Sequence, residues 1–137
     1  LAGLLDGAAA SLLFIARGNR NPAVLFRFIA SGVYGPAALT GGARMAWLGL
    51  FLHLLIACSF VAAYFGVCSV FAWPLFHPLV SALVYGLLVW ALMNLVVVPL
   101  SRTTPRPFSL AFALVNVLIL IVAIGAPAAW GARLYFL

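Results

Sequence analysis

Between Met45 and Ser101 the chain runs for 57 residues without an Asp, Glu, Lys or Arg. A helix that crosses a bilayer needs about 20 mostly apolar residues, so this run holds two crossings and a turn. Its one strong turn signal is Trp73-Pro74-Leu75-Phe76-His77-Pro78, where two prolines oppose helix continuation. Helices are expected over 43–72 and 78–100, paired as a transmembrane hairpin.

Composition supports the same solvent. Apolar residues make up 68% of the chain and charged ones 6%, against about 25% charged in an ordinary soluble domain. A chain of 137 residues cannot hide this much apolar surface from water. One integral membrane domain over residues 1–137 is therefore expected. The formal charge of +6 comes from seven arginines and one acid, Asp6. The arginines flank apolar runs, which favours lipid headgroups as partners. No basic run is interleaved with aromatics, so nucleic acid is not an expected partner. Cys58 and Cys68 fall in one helix, about 15 Å apart along its axis, too far for a disulfide, and read as packing residues.

The first apolar segment covers residues 1–16. It is slightly short for a crossing, and the helix is expected to begin upstream of Leu1 and to be a retained helix, not a signal peptide. Gly3, Gly7 and Ser11 give it a small-xxx-small face for close helix packing. Residues 17–44 form a polar joint with a short helix over about 22–34. Asn21 is its N-cap candidate, and Pro22 suits the first helical position. Gly35 and Pro36 end it. Spacing puts Arg27, Ser31 and Tyr34 on one face, with Val24, Leu25, Phe28, Ile29 and Gly32 on the other. Such an amphipathic helix is expected along the interface, with its Arg27 face in water or headgroups; a re-entrant segment is the competing reading. The last crossing is expected over about 108–130, its final turn loosened by Pro127, with Trp130 and Tyr135 in an aromatic belt.

Six arginines, Arg17, Arg20, Arg27, Arg44, Arg102 and Arg106, lie in the first and third connections, and Arg133 alone lies on the other side. They are the candidate headgroup-binding residues, and they put both connections in the cytoplasm with both termini outward. Arg102 and Arg106 clamping a phosphate is a weaker alternative.

Four polar side chains fall inside the crossings. Asp6 is eleven residues before Arg17, His53 nine after Arg44, Asn94 eight before Arg102, and Asn116 ten after Arg106. All four depths are about 12–17 Å. A lone carboxylate in hydrocarbon costs about 2.5 kcal/mol or more, so Asp6 should face inward, toward His53 as its only titratable partner within a crossing. The layer reads either as a site for proton transfer or a polar solute, or as hydrogen bonds that fix helix register. His77 lies in the outer turn, away from His53, so no haem site forms within one layer, although a single His could ligate a haem or chlorin with another subunit's help. No set of Cys and His has metal spacing, no cofactor is expected, and the single acid leaves little basis for an enzyme.

The stretches RFIASGVYGPAALTGG, LHLLIACSFVAAYFGV and MNLVVVPLSRTTPRPFSL together resemble a group of small bacterial four-span inner-membrane proteins, distantly akin to the YagU-type family. His53, Asn94, Pro99 and Pro105 match that pattern. The resemblance implies a multi-pass protein of the bacterial inner membrane and no catalytic residues. The reading is thus all-α: a transmembrane four-helix bundle with one short amphipathic interfacial helix. Its expected role is that of a non-catalytic accessory or structural subunit, packing against a larger membrane complex or a copy of itself. The alternative is a small transporter or proton-conducting element using Asp6 and His53.

Overall fold

A computed structural model describes residues Leu1–Leu137. It is all-helical: α1 (Ala2–Ala16), α2 (Ala23–Tyr34), α3 (Gly42–Val70), α4 (Trp73–Phe76), α5 (Pro78–Leu100) and α6 (Leu110–Phe136), with a 3₁₀ turn at Pro36–Thr40. Three helices, α3, α5 and α6, are long and apolar enough to cross a membrane. At 15 residues, α1 is about 22 Å long, shorter than a hydrocarbon core of about 30 Å. The expected hairpin is present, and its turn contains the single helical turn α4.

The local signals act where the sequence puts them. The Asn21 side chain accepts the Ala23 N–H at 2.9 Å, capping α2 beside Pro22. Gly35 ends that helix at φ +78°, a left-handed conformation that favours glycine. Ser109 caps α6 by accepting the Phe112 N–H.

Two of the crossing helices are interrupted. Leu92–Val97 in α5 and Ile121–Gly125 in α6 are π-helical. Each lies just upstream of a proline, Pro99 or Pro127. Neither proline can donate to the carbonyl four residues back, Leu95 or Ala123 respectively. The wider i→i+5 pairing upstream re-satisfies backbone groups that have no water to turn to. The expectation that Pro127 loosens the final turn near Trp130 is therefore corrected. The irregularity falls one turn earlier, and α6 runs on to Phe136.

The helices meet where side chains are smallest. A β-carbon on Gly86 would lie 2.6 Å from the Ile121 Cα, and one on Gly125 would collide with the Ala82 carbonyl oxygen. The backbones of α5 and α6 therefore touch, the geometry that small residues permit in membranes. Toward the hairpin turn, α3 joins this pair. Tyr64 and Cys68 pack with Leu75, Ala82, Ala128, Ala129 and Ala132, and the Tyr85 hydroxyl donates to the Phe60 carbonyl. Val89, Leu120 and Ile124 form a second cluster.

The arginine-bearing end is built differently. There α1 packs against α3 and α6, and α2 packs along the first part of α3. A β-carbon on Gly3 would meet Ala57 at 3.0 Å, and one on Gly7 would meet His53 at 3.2 Å, so the small face of α1 is the one turned to α3. At 29 residues against 23, α3 is the longer of the hairpin helices. Its surplus at this end carries α2, whose Gly32 carbonyl accepts the Arg102 N–H just beyond the end of α5 at 2.9 Å.

The orientation of α2 about its axis corrects the amphipathic expectation. Ser31 is buried, along with Ala30, and Arg27 folds inward to donate from Nη1 to the Leu39 carbonyl at 3.2 Å. Val24, Val33 and Tyr34 are the exposed residues. The Ser31 hydroxyl is satisfied by the Phe28 carbonyl of its own helix, so burying it leaves no unpaired group. Of the expected polar face only Tyr34 is exposed, whereas Leu25, Phe28, Ile29 and Gly32 of the expected apolar face are half-buried as that reading requires.

Candidate functional site

The most distinctive chemistry lies between α1 and α3. Helix α1 carries Asp6 on the turn between Gly3 and Gly7, and their lack of side chains lets His53 of α3 approach. The His53 Nε2 is 3.2 Å from the Gly3 carbonyl oxygen and 3.6 Å from Asp6 Oδ2. As the Nε2–H tautomer, His53 donates to that carbonyl while the same N–H faces the carboxyl group, just beyond hydrogen-bond length. Both side chains are largely shielded. Either as carboxylate and imidazolium or as neutral acid and imidazole, the pair carries no net charge, the condition that a low-dielectric interior favours.

On the Gly3–Gly7 side of the same helix contact is a crevice of about 230 Å³ lined by Gly3, Gly7, Ser11, Phe26, Leu50 and Leu54 among others; neither Asp6 nor His53 lines it. The Phe26 ring stands edge-on to His53, with centroids 6.3 Å apart. The Ser11 hydroxyl donates to the Gly7 carbonyl at 2.7 Å. The crevice itself is mostly apolar, and the titratable chemistry is confined to the acid–imidazole pair, a set that can hold a proton.

The asparagines of the expected polar layer are not part of this constellation. Asn94 donates from Nδ2 to the Trp90 carbonyl of its own helix at 3.0 Å, inside the π segment of α5. Asn116 makes no side-chain hydrogen bond within the protein and is half-buried on α6. Neither asparagine hydrogen-bonds directly to Asp6 or His53.

The six candidate headgroup residues divide into two groups. All but Arg27 are exposed, and Arg20, Arg44 and Arg102 make no side-chain hydrogen bond and stack on no ring. Three others are held by the protein. Arg17 lies over the Phe112 ring, 4.5 Å from its centroid, and Arg106 over Phe28 at 3.8 Å. Arg27 turns inward, with its Nε buried and without a partner. Stacking on Phe28 takes part of the Arg106 guanidinium out of water, which lowers its pKa from the ordinary arginine value, although the group stays charged. None of the arginines has a carboxylate partner, since the single ion-pair contact is His53 with Asp6.

A second feature was missed in the sequence. Ser59, Ala62, Ala63, Gly66 and Ser69 are all exposed and share one face of α3 by helical spacing. A β-carbon on Gly66 would meet no atom within 4 Å. Ser59 and Ser69 donate to Leu55 and Gly66 carbonyls of their own helix, so this strip presents little side-chain polarity. The same small-xxx-small spacing that marks Gly3 and Gly7 would have found it. The phenylalanines that seat Arg17 and Arg106 had no comparable signal, because they are distant in sequence.

The chain matches no protein-family model, no curated protein and no solved structure at a significant level.

Proposed function

We propose that this protein is a non-catalytic multi-pass subunit of the bacterial inner membrane that packs against another membrane protein or a second copy through α3. The exposed strip Ser59–Ala62–Gly66–Ser69 carries this reading. In lipid there is no hydrophobic force to join helices, and small residues that let backbones approach are the usual means of association. On this reading α1 is the fourth element of the bundle, α2 lies at the cytoplasmic interface, and the arginine-bearing end faces the cytoplasm. The resemblance to small four-span inner-membrane proteins agrees with it.

The test is native purification followed by mass spectrometry of the wild type and Gly66→Leu. The wild type is expected to carry a stable partner, either another subunit or itself. Gly66→Leu should release it while remaining folded, because the leucine points into open space. A solitary wild-type protein, unchanged by the substitution, would sink the reading.

The Asp6–His53 pair beside its crevice favours a second reading, a small proton-conducting element. Reconstituted liposomes under a pH gradient test it: flux abolished by Asp6→Asn supports it, and flux equal to empty liposomes excludes it.

A further inference from the structure

We propose that the crevice between α1 and α6 is a binding site for one anionic phospholipid, with Arg17 receiving the phosphate and the crevice receiving one acyl chain. The crevice has a volume of about 400 Å³ and an entirely hydrophobic lining, including Leu5 and Ala9 of α1 and Val115, Ile119 and Val122 of α6. From Val115 to Val122 it extends about 10 Å along α6. It exists because α1 turns its small face to α3, which leaves Ala9 on the α6 side too short to fill the gap between the helices.

The occupant follows from what stands at one end. Phe112 lies one turn before Val115 on α6, and the Arg17 guanidinium rests over its ring. A cation is thus held at the mouth of an apolar slot, where a phospholipid has its phosphate above its acyl chain. Arg17 has no carboxylate partner among residues 1–137, whose one acidic side chain, Asp6, faces His53. Exposed Arg20 adds positive charge close by. The open side of Arg17 is free to take an anion, and the adjoining slot selects one that carries a hydrocarbon chain. A cation on an aromatic face remains free on its other side to bind phosphate.

The test uses the full chain in mild detergent, offered equal amounts of phosphatidylglycerol and phosphatidylcholine, with native mass spectrometry as readout. The wild type is expected to retain one phosphatidylglycerol in several-fold preference. Arg17→Gln should bring the preference close to parity, Arg20→Gln should leave most of it, and Ala9→Phe should reduce retention of both lipids. Equal loss in Arg17→Gln and Arg20→Gln would mean diffuse electrostatic attraction and overturn the site. A wild type that shows no headgroup preference does the same. A measurement on the unaltered protein covers any variant that misfolds: phosphatidylglycerol with a photoreactive acyl chain should label Leu5, Ala9 and residues 115–122. Labelling spread evenly along the exposed leucines of α5, or crosslinks from the crevice to a second copy, overturns the proposal.

Discussion

The carbonyl oxygen of Phe26 occupies the space that a β-carbon on Gly49 would need. Helices α2 and α3 therefore meet backbone to backbone, and no rotamer change can make room. Gly49→Ala is expected to destabilise the protein by about 1–3 kcal/mol, the usual cost of overpacking a close contact. Gly66→Ala on the same helix is the control. It meets nothing, and the gain in helix propensity of about 0.5–1 kcal/mol should leave it unchanged or slightly stabilised. Thermal unfolding in one detergent measures both, and equal effects would refute the contact.

The acid–imidazole pair should behave as a coupled unit. His53→Ala leaves the Asp6 carboxyl without a side-chain partner, at a cost of about 1–3 kcal/mol. Adding Asp6→Ala to that variant should recover part of the loss, with a coupling energy of about 0.5–3 kcal/mol. A double-mutant cycle by thermal unfolding provides the number. Additive losses would show that the 3.6 Å approach has no energetic content.

The π segment of α6 is equivalent to one residue inserted in an α-helix. Deleting exposed Val122 from it should restore α-helical register while keeping both flanking halves in place. Deleting exposed Leu114, outside the segment, instead rotates everything before it by about 100° relative to the rest. Expression and melting temperature in detergent are expected to survive the first deletion far better than the second. Equal tolerance would argue against the bulge.

For orientation, a cysteine at Thr104 in a background lacking Cys58 and Cys68 should react with a membrane-impermeant maleimide only after the cells are opened. The arginine distribution motivates this expectation, and labelling in intact cells would reverse the topology.

These features differ in how far they could be read from residues alone. The hairpin was legible because hydropathy acts on whole segments: the absence of charge from Met45 to Ser101 settles two helices within two residues at each end. The meeting of Asp6 and His53 was legible because glycines on either side of the acid allow α3 to come close. Asn94 and Asn116 show the limit of that argument. Counting from a boundary gives height along a helix but not direction around it, and Asn94 spends its donor on its own backbone. The buried side of α2 was illegible for a related reason. Arg27 and Ser31 look exposed by type, yet Arg27 Nη1 and the Ser31 hydroxyl turn inward to the carbonyls of Leu39 and Phe28.

The contact between Gly125 and the Ala82 carbonyl has a mechanical consequence. Atoms of the main chain have no alternative rotamers, so α5 and α6 cannot slide past each other without separating along their crossing. They act as a stiff strut. Helix α1 is joined to α3 by one imidazole contact and small side chains, and packs on α6 beside an open crevice, with no comparable main-chain lock. Strain applied to this molecule, whether by bilayer thickness or by a neighbour, will be taken up by displacement of α1, and the imidazole–carboxyl distance will register it.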